Sequence, residues 1–121
     1  MPESATPDVR GRLDAMLLAT IAHGPVHGYG IIDRVRGQTG GAVSLEGGTL
    51  YPALRRLEEN GLIAGSWTDA SGRRRRVYTL TASGTAALRA ERSAWRHFVR
   101  TLGSVLDDPV TVPGAAGGPL R

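Results

Sequence analysis

Apolar positions along the chain recur first at helical spacing and then at strand spacing. From Val9 to Ala22, Leu13, Leu17, Thr20 and Ile21 share one face with Met16 beside them, which predicts a first helix. Gly24 as a cap and Pro25 as a stop end it. A second helix is predicted from Gly28 to Gln38, with Ile31, Ile32 and Val35 inward and Gly40 and Gly41 closing it. A third is predicted from Leu50 to Asn60, where Leu50, Leu54 and Leu57 keep the i, i+4, i+7 rhythm until Gly61. The period then shortens. "LIAGSWTD" and "RRVYTL", joined by the turn signal "ASGR", predict a β-hairpin over Leu62 to Leu80 with its tip near Ser71 and Gly72. Trp67 is expected to meet Val77 or Tyr78 across it. Thr81 is expected to cap a fourth, longer helix running to Leu106.

Three helices, a hairpin and a long helix make a mainly α chain with a small β-hairpin. The order is that of a winged helix-turn-helix, in which the third helix enters the DNA major groove and the hairpin reaches flanking backbone or minor groove. The expected organisation is a polar, disordered N-terminal tail over 1–7 and a winged helix-turn-helix domain over 8–80. A C-terminal dimerisation helix over 81–106 follows, then a disordered tail over 107–121, rich in Gly, Pro and Ala.

Composition narrows the class. A chain of 121 residues with 40% apolar content supports one small core, and the absence of cysteine removes disulfides and thiolate metal sites. No apolar run approaches the roughly 20 residues of a membrane span. The first twelve residues lack the apolar stretch of a signal peptide, so a cytoplasmic location is expected. All 15 basic residues are arginine, and the net charge is +4. Arg73, Arg74, Arg75, Arg76, Arg89, Arg92, Arg96 and Arg100 lie in one stretch whose only acid is Glu91. Four adjacent arginines at a hairpin tip are the footprint of an anionic partner, double-stranded DNA before a membrane because no amphipathic anchor accompanies them. For Arg89 to Arg100 a solvated helix surface explains the charge equally well.

Pro52 interrupts the third helix's pattern. With Thr49 as N-cap, Pro52 is the third helical residue, where a missing N–H has no partner to lose. Gly47 and Gly48 let the preceding chain turn closely, and the positive helix end suits a phosphate oxygen. Tyr51, Pro52, Arg55, Arg56 and Glu59 then face outward, either toward DNA or as an ordinary helix surface with Arg55 paired to Glu59.

"HGYGIIDRV", "GGTLYPALRRLEENGLI", "RRRRVYTLTASG" and "AERSAWRHFV" together resemble the PadR family of bacterial transcriptional regulators over about Leu17 to Val105. The resemblance implies a homodimeric winged-helix repressor on a palindromic operator, of the short-tailed type with a single C-terminal helix. It also implies DNA contacts by the GTLYP stretch, here Gly48, Thr49, Tyr51 and Pro52, and by the wing, here Arg73, Arg74, Arg75 and Arg76. Leu50 within that stretch is assigned to the core on its spacing with Leu54.

Leu88, Glu91, Trp95, Phe98, Leu102 and Val105 alternate steps of three and four, a heptad seam broken by Glu91. Leu88, Trp95, Phe98, Leu102 and Val105 are therefore the expected dimer interface. Trp95 has two readings: packing within the dimer, or a platform on which a small planar aromatic effector stacks, with Phe98 beside it and Glu91 and Arg92 or His97 orienting its polar groups. His23 and His27 are separated by Gly24 and Pro25, so no helix presents both to a metal, and none is expected. No nucleophile motif or phosphate loop supports an enzyme or a cofactor. The competing function is a winged-helix protein-interaction or ligand-binding module without operator binding, which would have no need of four adjacent arginines.

Overall fold

The computed structural model describes residues 10–69 and 72–109. The elements are a short 3-10 turn (Arg10–Arg12), α1 (Leu13–Ile21), β1 (Val26–His27), α2 (Gly28–Gln38), α3 (Gly47–Glu59), β2 (Ile63–Thr68), β3 (Arg75–Leu80) and α4 (Ala82–Leu106). The tails expected over 1–7 and 107–121 lie outside the described residues, apart from 107–109, as does Ser71 at the hairpin tip. The chain divides after Glu91 into two compact units.

In the first unit Leu17, Leu18, Ile21, Ile31, Leu50, Leu54, Leu57 and Ile63 are fully buried, and α1 packs on α2, α3 and β3. Val43 and Leu45, from the loop between α2 and α3, complete this core with Tyr78 and Leu88. Both α2 and α3 end in a glycine with positive φ, Gly40 and Gly61. After α3 the N–H of Leu62 bonds to the Leu57 carbonyl and that of Gly61 to Glu58, so the last carbonyls are satisfied as the chain turns into β2.

The hairpin is part of a three-stranded antiparallel sheet in the order β1-β3-β2. The extra strand is two residues long and pairs Val26 with Tyr78 and His27 with Val77. The register corrects the expected partner of Trp67, which stands opposite Arg76 rather than Val77 or Tyr78. Thr81 caps α4 as expected, its hydroxyl accepting the Gly84 N–H at 3.0 Å while donating to the Gly61 carbonyl. Gly84 is required there, because a Cβ would overlap the Leu62 carbonyl oxygen.

The start of α3 is a second correction. The helix begins at Gly47 with Glu46 as N-cap, and the Glu46 carbonyl accepts the N–H groups of Thr49 and Leu50 at 3.0 and 2.8 Å. Thr49 is thus a helical residue, and Pro52 is the sixth of the helix, not the third. A residue-52 N–H would have bonded to the Gly48 carbonyl. Gly48 lies on the exposed side of the helix.

In the second unit α4 carries a row of half-exposed apolar side chains: Trp95, Phe98, Val99 and Leu102, with Val105 and Leu106 more exposed still. The Trp95 and Phe98 rings stack at 5.8 Å between centroids. Leu88, expected on the same seam, is instead 4% exposed in the core of the first unit. Its step in the heptad is shared with the turn of α4 that covers the core, and the core takes it.

Candidate nucleic-acid interface

Gly48, Thr49, Tyr51, Pro52, Arg55 and Arg56 all lie on the exposed side of α3, while Leu50, Ala53, Leu54 and Leu57 are buried beneath them. Tyr51 is fixed from two sides. Its ring edge passes 3.5 Å from where a Cβ on Gly47 would stand, and a Cβ on Gly28 would come within 2.8 Å of its Cε1 and Cζ. Only glycine at position 28 lets the phenol lie against the first turn of α2.

His27 sets that turn. Its Nδ1 accepts the Gly30 N–H at 3.2 Å, capping α2, and its Nε2 stands 2.9 Å from Arg75 Nη1 on the wing. Tyr29, the next residue but one, is 69% exposed. His27, Gly28, Tyr29, Tyr51 and Tyr78 form the walls of a pocket of about 260 Å³ whose remaining lining is Arg73, Arg75 and Arg76.

The outward cations differ in what holds them. Arg56 is paired with Asp14 on α1, with both side chains about half-exposed. Arg76 is paired with Glu58 on α3, both only 30% exposed. It also lies 5.4 Å from the Trp67 ring centroid and covers Gly65, where a Cβ would meet its guanidinium. Arg74 lies over the same Trp67 ring at 4.8 Å. Among the described residues Arg55, Arg73, Arg74 and Arg75 form no ion pair. The sequence groups Arg56 and Arg76 with the DNA-facing cations; the structure engages both with carboxylates and, among the described residues, leaves these four guanidiniums without one.

Tyr78 lies under this cluster. Burial pushes its phenol above the ordinary tyrosine value, and the adjacent Arg76 guanidinium opposes the shift. Among the described residues no group of three His, Cys, Asp or Glu is gathered, and no helix is long and apolar enough to cross a membrane. Of the residues expected to hold an effector, Glu91 falls in the first unit, and Trp95 and Phe98 in the second.

Sequence reasoning missed His27, Gly28, Tyr29, Glu58 and Tyr78 as members of this site. A signal existed in "HGYG": a histidine directly before a helix is a side-chain cap, and a glycine at the first helical position invites a close neighbour.

Residues 17–90 match the model of the transcriptional regulator PadR-like family. Transcriptional regulator Rv3488 of Mycobacterium tuberculosis is 47% identical over 53 residues, 44% of this chain and half the length of that relative. A transcriptional regulator of Clostridium thermocellum superimposes with a TM-score of 0.74 at 26% identity, covering 81% of this chain and 96% of its own. A PadR family transcriptional regulator of Eggerthella lenta superimposes at 0.71 with 29% identity, covering 83% and 86%.

Proposed function

Because the chain belongs to the PadR-like family of transcriptional regulators, we propose that it is a repressor that binds a palindromic operator as a homodimer in the cytoplasm and catalyses no reaction. The observation that carries this reading is the exposed face shared by the first turns of α3 and the wing, where Tyr51 stands beside Arg73 and Arg75 and, among the described residues, no carboxylate pairs with those two guanidiniums. The N-terminal turns of α3 enter the major groove, with Arg55 the base reader, since arginine to guanine is the commonest specific base contact. The wing arginines hold phosphates and set the register without reading sequence.

Trp95, Phe98, Leu102 and Val105 on α4 form the surface through which a second copy docks, in keeping with their exposure. The stacked Trp95 and Phe98 rings offer a planar aromatic effector a place at that surface. Binding there shifts operator affinity only so far as the ligand prefers one arrangement of the two subunits.

Selection of bound duplexes from fragmented genomic DNA tests the reading. The expected product is a palindrome with half-site centres about 34 Å apart, one DNA turn. Recovery of no enriched sequence, with binding that ignores salt, would sink it.

A further inference from the structure

The pocket between the first turn of α2 and the wing has a chemistry that DNA-backbone contact alone does not use up. In neutral His27 the Nδ1 lone pair is engaged by the Gly30 N–H, so the ring proton sits on Nε2. That N–H and the Arg75 Nη1 group stand 2.9 Å apart, two donors facing each other. An oxyanion that accepts from both relieves the conflict. Arg73 adds a second guanidinium, and among the described residues no aspartate or glutamate lines the pocket. Guanidinium groups favour phosphoryl and carboxylate oxygens in paired contacts.

Size and walls narrow the ligand further. The pocket measures about 260 Å³, whereas a bare phosphoryl group fills the space of only a few waters at about 30 Å³ each. The remaining volume is bounded by the rings of Tyr29, Tyr51 and Tyr78, which suit a flat or sugar ring. We infer that this pocket is a binding site for a phosphoryl group carried on a sugar, the unit of a nucleotide, supplied either by a DNA strand or by a free nucleotide. The inference deepens the DNA-binding reading at that reading's own face, and it makes a free nucleotide and the operator competitors wherever both use the pocket.

Adenosine monophosphate is the probe, followed by amide NMR of the full chain, with adenosine as control. The nucleotide shifts the resonances of Gly28, Tyr29, Gly30 and Arg75 to saturation, and adenosine does not. Arg75→Gln weakens the nucleotide about tenfold or more, and Tyr29→Ala, at an exposed position that does not threaten folding, weakens it as well. If the bound nucleotide also raises the apparent Kd for duplex DNA as mass action requires, the strand uses the same pocket. If it binds without displacing duplex, the site serves free nucleotides alone. Nucleotide binding by a protein that retains no DNA would keep this site and remove the repressor reading. Tight, salt-dependent duplex binding with no response of these residues to the nucleotide overturns the inference and leaves the repressor reading standing, and so does an Arg75→Gln variant that binds the nucleotide as well as wild type.

Discussion

The phenol of Tyr51 rests against the α-carbon of Gly28, so the start of α3 and the start of α2 meet through a glycine that has no room for a methyl group. The atoms a methyl would strike are the far end of the tyrosine ring, and Tyr51 is 44% exposed. Gly28→Ala therefore swings the phenol aside rather than prising the helices apart. Thermal unfolding should place its stability within about 1 kcal/mol of wild type, helix propensity offsetting part of the crowding. Operator affinity should fall at least as far as in Tyr51→Ala. Equal loss of stability and affinity would mean that position 28 matters only for packing.

Leu88 and Leu102 carry the same residue type on the same helix and face different duties. Leu88 is buried within the chain, and Leu102 is 41% exposed. Leu88→Ala should cost about 2–4 kcal/mol of stability through the cavity it leaves, with the oligomeric state unchanged at concentrations where the protein is folded. Leu102→Asp should leave a folded monomer without operator binding. Sedimentation and thermal melts separate the two, and a dimeric Leu102→Asp variant would remove α4 from the interface.

The helices and the hairpin were legible because each is marked by its own apolar period, and the first three helices are closed by glycine. The start of α3 was not, since two glycines read as loop until Tyr51 is seen packed over Gly47. β1 was hidden by its length: two residues set no period, and Val26 and His27 become a strand only because β3 offers its free edge. The outward face of α3 could be read from the burial of Leu50, Leu54 and Leu57. Which outward arginines stay uncompensated could not, because Asp14 and Glu58 reach Arg56 and Arg76 from other elements across 42 and 18 residues of chain. The exposed apolar row on α4 was readable in period but not in extent, and Leu88 went to the core.

Tyr78 makes stability depend on alkaline pH. Its folded-state pKa lies above its unfolded value of about 10, so the folded chain binds the phenolic proton more tightly than the unfolded one. The resulting stabilisation is fully present below about pH 10 and is lost as pH rises through the higher folded-state value. Denaturant midpoints across this range should fall for wild type and fall less steeply for Tyr78→Phe. The arginines stay charged throughout and do not mask the effect. Parallel curves for the two proteins would mean that the phenol ionises as freely in the fold as out of it.

On the proposed reading the arginines of the wing divide into clamps on DNA and a clamp within the protein, Arg76 held by Glu58, and salt dependence tells them apart. Arg75 forms no ion pair among the described residues, so each phosphate it neutralises releases counterion. Arg75→Ala should weaken operator and random duplex alike and reduce the magnitude of the log–log salt slope by about 0.9 for each phosphate no longer neutralised. Arg76 is already neutralised by Glu58 and packed over Trp67 and Gly65. Arg76→Ala should leave the slope near the wild-type value and lower stability by about 1–2 kcal/mol, between an exposed pair and a charged hydrogen bond. Its weaker DNA binding then comes from a wing no longer tied to α3. Arg55, also without an ion pair among the described residues, stands on the exposed side of α3, the helix proposed to enter the groove. Arg55→Ala should cost about 1–3 kcal/mol per base contact on the operator and much less on random DNA. Binding isotherms for the three variants on operator and scrambled duplexes, at several salt concentrations and alongside thermal melts, resolve the roles. An Arg76→Ala variant with unchanged stability and a salt slope reduced as in Arg75→Ala would show that Arg76 leaves Glu58 for the DNA backbone.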